Sequence, residues 1–461
     1  MQDLTTGSIS RHLLKTASFM LVTMIFQTLY ILVDLYWVGR LGKEAVAAVG
    51  ISGNLMFIVV AVTQMLGVGT TTLVSHAAGQ GGRDRALRIF NQSLVLSAGV
   101  AVVFAALAMV VRLPYVNGLS ADVQTAGLAA DYLLWFIPAM GLQFPMVVMA
   151  AALRGTGNFK PGMIVQTATV IMNIVFAPIL IFGWGTGVPL GVGGAAIATL
   201  IAIAIGTVWL AFYFFPVESY LRFKRHDWAP DLPLWRKLLG IGLPAGAEFA
   251  LMAVYLVIVY AVSRPFGAAA QAGFGVGQRI IQALFMPAVA LGFAVAPLAG
   301  QNVGARKADR VYATFRTAML LVGSVMTAMA LLCHIAPAAM IRFFSTDPEV
   351  VAVGDEYLRI ASWNFIASGV IFVCGSMFQA MGNAMPSLIA SLVRLLLVAI
   401  PAFTLARLPG FQLRWIWYLT VVSIAIQMGL VLLLLRSEFR KRLNFGTAPV
   451  PHPVPEGMPA R

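Results

Sequence analysis

Two acidic residues lie inside long apolar stretches of the 461-residue chain, where a carboxylate could bind a proton or a cation. Asp34 lies in the first stretch and Glu248 in the seventh, whereas the other acidic residues lie in loops, in tails or at the ends of stretches. A carboxylate in the middle of a bilayer costs about 2.5–3.5 kcal/mol even on a lenient insertion scale. Membrane proteins keep such residues for ion, proton or substrate pathways, so both are candidate functional residues.

Asp34 has a hydrogen-bond donor on its own face of the predicted helix. Tyr30 lies four residues earlier, and side chains at that spacing are neighbours on a helix. A carboxyl group in an apolar medium takes up a proton more readily than one in water. We therefore interpret Asp34 as a proton acceptor whose charge state selects a conformation. The alternatives are a carboxylate that reaches the outer membrane interface and one that pairs with Arg40.

Glu248 follows a stretch rich in glycine and proline, residues 242–247, that could bend the seventh helix near its inner end. We interpret Glu248 as a binding site for a cation or a cationic substrate, and capping of nearby backbone is the alternative. Gln27, Tyr36 and Asn54 are further candidates for binding a cation or substrate. We expect most other polar residues in the apolar stretches to form hydrogen bonds between helices, at about 1 kcal/mol each.

The composition indicates which elements must position these residues. Hydrophobic residues make up 60% of the chain, charged residues 10%, and the mean hydropathy is +0.88. These values exclude an ordinary soluble enzyme, a disordered chain and a disulfide scaffold, and they predict a polytopic membrane protein. The net charge of +14 comes from basic residues between the apolar stretches, so it indicates topology rather than nucleic-acid binding.

Twelve apolar stretches are long enough to cross a bilayer as helices, which need about 20 residues each. They cover residues 13–38, 46–76, 90–111, 127–153, 162–183, 190–214, 236–262, 270–297, 311–334, 352–381, 386–407 and 413–436. Basic residues are concentrated in the loops on the N-terminal side of the membrane. This bias predicts a multi-pass protein of the plasma (inner) membrane with both termini in the cytoplasm.

The chain also repeats itself. Four short motifs of the first half recur in the same order in the second half, at a nearly constant separation along the sequence. They are Gly39-Arg40 with Ser263-Arg264, residues 47–51 with 272–276, Ala78-Gly79-Gln80 with Ala299-Gly300-Gln301, and residues 157–161 with 382–386. Because each half has six spans, the halves have the same orientation. Such parallel repeats are typical of carriers whose two halves rock about a central site, with a channel or scaffold as the alternative.

The duplication predicts five segments. They are a cytoplasmic N-terminus at residues 1–12, an N-terminal six-helix bundle at 13–215, a cytoplasmic linker at 216–235 on which two bodies could move, a C-terminal six-helix bundle at 236–436, and a basic, proline-rich cytoplasmic tail at 437–461. No nucleotide-binding, metalloprotease or serine-hydrolase motif is present in the sequence. Cys333 and Cys374 lie in apolar stretches, and no Cys/His cluster has the spacing of metal ligands. We therefore expect a secondary transporter without catalytic residues, metal or cofactor, driven by H⁺ or Na⁺.

Five motifs resemble the multidrug and toxic compound extrusion (MATE) transporters. They are residues 33–42, residues 45–50, the two Ala-Gly-Gln sequences, residues 153–158 and residues 242–248. The resemblance covers residues 10–440 and implies two six-helix bundles arranged as a V around a central cavity. It implies export of organic, often cationic, compounds coupled to inward H⁺ or Na⁺. It also implies that Asp34, Tyr30 and Asn173 form one proton-coupling network.

One departure from the family pattern affects the choice of coupling ion. The residue four positions after Asn173 is often Asp in the family, but here it is Ala177. The N-terminal half thus keeps one of two expected carboxylates, which favours protonation of Asp34 over Na⁺ binding. A flippase for a lipid-linked saccharide is the main alternative function. The expected partners are drug-like small molecules and the lipid bilayer, with no nucleic acid, and a monomer is sufficient for rocking of the two halves.

Overall fold

The computed structural model describes residues 2–120, 122–185, 187–215 and 220–445, and this part of the chain contains helices and no β-strand. The first half contains α1 (Ile9–Gly39), α2 (Lys43–Gly53), α3 (Leu55–Gly79), α4 (Arg83–Leu119), α5 (Val123–Gly155), α6 (Lys160–Phe182) and α7 (Gly191–Tyr213). The second half contains α8 (Leu232–Ser263), α9 (Gly267–Gly304), α10 (Ala308–Ile335), α11 (Pro337–Arg342), α12 (Pro348–Ala361), α13 (Asn364–Ala380), α14 (Met385–Leu405) and α15 (Leu413–Arg442).

The apolar helices account for the twelve predicted spans. Ten helical units of the described residues are long and apolar enough to cross a membrane, or eleven with the bent pair α12–α13 counted as one. One unit of 73 residues contains both α8 and α9, which are separated by a 3₁₀ turn at Arg264–Phe266. Residues near both of its ends, Leu238 and Gln301, pack against the last three turns of α3. This unit therefore crosses the membrane twice, and the predicted all-helical fold is confirmed.

The repeated motif at residues 157–161 and 382–386 is a helix stop followed by a helix start. Gly157 and Gly382 have φ angles of 80° and 76°, a left-handed conformation that ends α5 and α13 without a Cβ clash. Pro161 and Pro386 then occupy the first turns of α6 and α14, where a missing N–H breaks no helical hydrogen bond. The same local signals thus build the same turn in both halves.

Each half has its own buried core, but the first helix of each half begins in the core of the other. Leu13 and Ala17 of α1 pack with the buried residues of the second half. Leu238 of α8 packs with the buried residues of the first half. We call α1–α7 the N-terminal bundle and α8–α15 the C-terminal bundle. The first helix of each bundle, α1 or α8, also packs against the other bundle.

Two close backbone contacts between the bundles lie at one end, which we call the basic end. It carries residues 2–8, the turns after α3, α5, α9 and α13, and the last turn of α15. A Cβ added to Gly79 of α3 would overlap the carbonyl oxygen of Gln301, and one added to Gly304 of α9 would overlap that of His76. Only glycine allows two helix backbones to approach this closely.

These two contacts correct the alignment of the repeats. Gly304 follows Gly79 by the same number of residues as Gln301 follows His76. When the repeats are aligned at that separation, Gly79 corresponds to Gly304 and His76 to Gln301, so each contact maps onto the other. The separation between the two Ala-Gly-Gln sequences is shorter by about one helical turn, so these sequences are displaced along their helices rather than equivalent. The displacement arises because α9 continues past its Ala-Gly-Gln sequence to Gly304, whereas α3 ends at Gly79.

The described part of the linker is fixed to α4. The Asn91 amide oxygen accepts a hydrogen bond from the Trp228 indole at 3.1 Å, and that of Gln92 accepts one from the backbone N–H of Asp231 at 2.9 Å. Arg88 pairs with the Asp231 carboxylate at 2.7 Å. From residue 220 onward, the predicted connector is thus part of the surface of the N-terminal bundle. Residues 216–219, and residues 446–461 of the predicted tail, lie outside the described ranges.

Trp417 is the largest fully buried side chain of the described residues, and its removal is expected to destabilise the C-terminal bundle. Its ring stacks on Phe274 with centroids 5.2 Å apart and meets the edge of Tyr357 at 4.7 Å. Trp417→Ala is expected to lower the free energy of unfolding by about 3–5 kcal/mol through the cavity left behind. Thermal unfolding in detergent measures the change. Trp415→Ala, at a side chain 37% exposed in the same helix, is the control, and equal shifts for both variants would contradict the prediction.

Candidate functional site

Asp34 lies on α1, close to an aromatic cluster near the helix end opposite the basic end. Trp37 contacts the rings of Phe182 and Trp184 edge-on, with centroids 6.0 and 5.7 Å apart. Aromatic clusters of this kind lie at the boundary between lipid and water. Because Asp34 comes about one helical turn before Trp37, its carboxylate lies on the membrane side of that boundary.

The Asp34 carboxylate has an unused acceptor atom. Its Oδ1 is buried and has no hydrogen-bond partner. The Arg40 guanidinium lies instead over the rings of Trp37 and Phe182, at 5.9 and 5.7 Å from their centroids. Among the ion pairs of the described residues, none involves Asp34. The alternative of an Asp34–Arg40 pair therefore does not describe this conformation.

Tyr30 and Asn173 meet at a third residue, Thr199 of α7. The Thr199 hydroxyl donates to the backbone carbonyl of Ala195 at 3.1 Å and accepts from the Asn173 amide at 2.9 Å. The Tyr30 hydroxyl lies 3.2 Å from the same oxygen. Because the Thr199 hydrogen is already used, Tyr30 is the donor in this contact. The predicted Tyr30–Asp34 hydrogen bond is thus absent, and Tyr30 instead ties α1 to α6 and α7.

Buried Tyr132 of α5 completes the surroundings of Asp34, since it lies within electrostatic range of the carboxylate and of Tyr30. Tyr30 of α1 and Tyr132 of α5 therefore lie near one carboxylate that has a free acceptor atom, and Tyr30 connects this site to α6 and α7. This arrangement can bind one proton or one cationic group at Asp34.

Glu248 lies in a separate polar cluster of the C-terminal bundle. Ser387 of α14 donates to both carboxylate oxygens, at 3.1 and 3.0 Å, and Ser391 donates to one of them at 2.9 Å. Gln427 of α15 donates to the Ser391 hydroxyl at 3.2 Å, and its own amide oxygen is buried without a partner. Glu248 thus has local hydrogen-bond donors, in contrast to the free oxygen of Asp34.

Arg394 belongs to the same cluster and gives it a positive charge. Its guanidinium lies over the Tyr255 ring, 4.8 Å from the centroid, and its Nε is buried without a partner. It lies within electrostatic range of Glu248 but beyond ion-pair distance. A cation over an aromatic face is stabilised by about 1–2 kcal/mol when it is shielded from water. The C-terminal bundle therefore presents an acidic and a basic group in one cluster, whereas the side chains shown near Asp34, Tyr30 and Tyr132, are uncharged.

The remaining candidates lie outside both clusters. Gln27 and Tyr36 are exposed on α1, and Asn54 is exposed at the junction of α2 and α3. Exposure leaves all three available to a ligand, but the structure gives none of them a contact with Asp34 or Glu248.

Sequence reasoning missed the residues that connect each cluster. The missed residues are single hydroxyl residues in apolar helices: Thr199, Ser387 and Ser391. In such helices a hydroxyl commonly donates to a backbone carbonyl of the preceding turn. A single sequence therefore does not identify them as site residues. Arg394 did carry a signal, because an arginine inside a span is costly, but its partner Tyr255 lies on another helix.

The family assignment agrees with this architecture. A family model described as MatE matches residues 20–179 and 244–404, which together are more than half of the chain. The two matched segments lie one in each half, as the duplication requires. The first segment contains Asp34, Tyr30, Tyr132 and Asn173 but not Thr199, and the second contains the Glu248 cluster except Gln427.

Individual relatives cover nearly the whole chain. "Probable multidrug resistance protein YoeA" of Bacillus subtilis is 25% identical over 89% of this chain and 90% of its own length. "FAD transporter" of Shewanella oneidensis is 25% identical over 80% of this chain and 82% of its own length. A MOP superfamily transporter from Pyrococcus furiosus has the same fold, with a TM-score of 0.87 at 22% identity over 96% of this chain and 98% of that one. The chain therefore belongs to the MATE family of membrane transporters and is not an enzyme.

Proposed function

We propose that this transporter exports organic cations in exchange for inward H⁺, and that Asp34 binds either the proton or the cation. The observation that supports this most is the buried Asp34 Oδ1, which has neither a hydrogen-bond donor nor an ion-pair partner. A lone carboxylate in an apolar site is stable when protonated or when paired with a cation. Multidrug resistance is the function named for the Bacillus relative.

Proton coupling is favoured over Na⁺ coupling by the number of oxygen ligands. Hard cations are held by several oxygen atoms at once. The position that often carries a second family carboxylate is Ala177, which is 1% exposed and offers no side-chain oxygen. Asp34 can accept a proton without a second ligand.

We propose that protonation acts by removing the charge of Asp34 and not by bending α1. Kinks in helices occur at proline, at glycine or at π-bulges. From Ile9 to Val38, α1 contains neither proline nor glycine and is one continuous helix. We infer that protonation of Asp34 releases the substrate by removing its counter-charge.

The energetics permit a one-for-one exchange. One proton that moves inward down 100 mV and one pH unit releases about 3.7 kcal/mol, and export of one monovalent cation against that potential costs about 2.3 kcal/mol. The remaining 1.4 kcal/mol or so supports about a tenfold gradient of the exported compound. Such an exchange is electroneutral, so the pH gradient alone drives it.

The topology that we propose places the basic end in the cytoplasm and the transporter in the plasma (inner) membrane. The support is the concentration of Lys and Arg in the turns at that end, because basic loops stay on the cytoplasmic side. The bundles meet each other within one chain, so a monomer is sufficient for this function.

A second candidate substrate class is a nucleotide-like anion. Arg394 supports it, because its buried Nε lacks a partner inside the C-terminal bundle and could pair with phosphate. A relative that is 25% identical is named an FAD transporter. In the first candidate function, Glu248 assists in binding of the cation instead.

Transport into inverted vesicles from cells that lack their own pumps tests the proposal. We expect an imposed pH gradient to drive uptake of a fluorescent monovalent cation, and a Na⁺ gradient of equal size to drive none. Uptake driven by Na⁺ alone would contradict proton coupling. Uptake of FAD, without uptake of any cation, would favour the second candidate.

A further inference from the structure

The basic end contains two hydrogen bonds that join the bundles at equivalent positions of the repeat. The His76 side chain of α3 contacts the Ala380 carbonyl of α13, with Nε2 at 2.6 Å from the oxygen. The Gln301 side chain of α9 donates to the Gly155 carbonyl of α5 at 3.0 Å. His76 and Gln301 have the same separation along the sequence as Gly155 and Ala380, so the two bonds are related by the duplication.

The N-terminal segment, residues 2–8, contacts the side chain that makes one of these bonds, Gln301, but not His76. The backbone N–H of Leu4 donates to the Gln301 amide oxygen at 3.0 Å, so this one amide contacts both the segment and the N-terminal bundle. The Leu4 side chain is 2% exposed, and its carbonyl accepts from Asn302 and Arg310, both at 3.3 Å.

The same segment also contacts the N-terminal bundle directly. The backbone N–H of Gln2 donates to the Thr156 carbonyl at 2.9 Å, while Lys307 of the C-terminal bundle donates to the Thr5 carbonyl at 3.0 Å. Asp3 holds the segment in a turn through hydrogen bonds from the Thr5 backbone and the Thr6 hydroxyl, at 2.8 and 3.1 Å. The segment therefore spans the seam between the bundles.

We propose that His76 and Gln301 form a latch that holds the basic end closed, and that residues 2–8 act as a clasp over its Gln301 side. Opening of the basic end must break both of these bonds, and also the bond from the Thr72 hydroxyl of α3 to the Gln379 carbonyl of α13 at 3.1 Å, but only the Gln301 side must also release Leu4. The clasp thus biases the resting transporter toward the conformation that is closed at the basic end. His76 and Gln301 are positioning residues in this role, since neither needs to touch the substrate.

The chain offers a matched control for Gln301. Gln80 ends the first Ala-Gly-Gln sequence, and its amide oxygen accepts from Arg85 of its own bundle at 2.9 Å. Gln80→Ala therefore removes the same chemical group from the same short motif without breaking a bond between bundles.

Pulsed electron paramagnetic resonance between spin labels at Lys160→Cys and Met385→Cys measures opening of the basic end. Both side chains are exposed at the starts of α6 and α14, whereas the native cysteines Cys333 and Cys374 are buried. We expect Gln301→Ala to raise the ratio of open to closed distances about fivefold to tenfold, the effect of losing the one hydrogen bond that Gln301 makes to the N-terminal bundle. Deletion of residues 2–6 should act in the same direction.

Gln301→His, which restores a donor of the kind used by His76, should leave the distances as in the wild type, and so should Gln80→Ala. Equal distributions for Gln301→Ala and Gln80→Ala would overturn the proposal. The measurement is made without substrate or gradient, so its outcome is independent of the role of Asp34.

Discussion

Asp34→Asn is expected to abolish the concentration gradient of an organic cation that a pH gradient supports. Asparagine keeps the shape of the side chain but binds neither a proton nor a cationic group by charge. With wild-type protein, one pH unit supports about a tenfold concentration gradient of the cation. With the variant, we expect no more accumulation than in vesicles without the transporter. Accumulation of a fluorescent cation in vesicles, at matched protein levels, measures the difference.

Asp131→Asn provides the control for Asp34→Asn, since Asp131 is an exposed acid on α5 and undergoes the same chemical change. It is expected to transport as the wild type does. Full accumulation by the Asp34 variant would show that the proton binds elsewhere, with Glu248 as the next carboxylate to test.

Gly79→Val is expected to reduce transport to about a tenth of the wild-type rate or less, although Gly79 lies at the basic end and Asp34 lies near the opposite end. The new Cβ would overlap the Gln301 carbonyl, so the bundles could not close at the basic end. Backbone overlap of this kind cannot be relieved by rotation of a side chain. Gly304→Val, which meets the His76 carbonyl in the same way, should have the same effect. Initial rates of cation uptake measure both variants.

Gly429→Val in α15 is the control for the two glycine variants, because a Cβ at Gly429 has no atom within 4 Å. Each bundle keeps its own core in all three variants, so detergent-solubilised protein should remain folded. If Gly79→Val and Gly304→Val transported at the rate of Gly429→Val, close approach of α3 and α9 would not be needed for transport.

Most of the fold follows from the sequence, because long apolar stretches separated by basic turns have few alternatives in a membrane. The duplication is likewise visible, since glycine and proline at residues 157–161 and 382–386 specify the same helix stop and start in each half. The one-turn displacement of the Ala-Gly-Gln sequences was not predictable. It depends on where α3 and α9 touch, and a short motif inside a continuous helix carries no information on that.

The sequence identifies the two carboxylates of the candidate sites but neither Arg394 nor the contacts between helices. Asp34 and Glu248 are conspicuous because a carboxylate in a span is costly. Tyr30, in contrast, has a neighbour at helical spacing and a different partner in space, Thr199, which only the packing of α1 against α7 brings near. Spacing along one helix therefore identifies possible partners, whereas contacts between helices decide which of them is used.

Proton release on substrate binding tests most directly whether the cation and the proton share Asp34. Purified transporter in weakly buffered detergent solution is mixed with a monovalent organic cation, and the change in pH is recorded near neutrality. We expect wild-type protein to release up to about one proton per transporter as the cation displaces it, and Asp34→Asn protein to release none. Equal proton release from both proteins would contradict the proposal that the two ligands compete for this carboxylate.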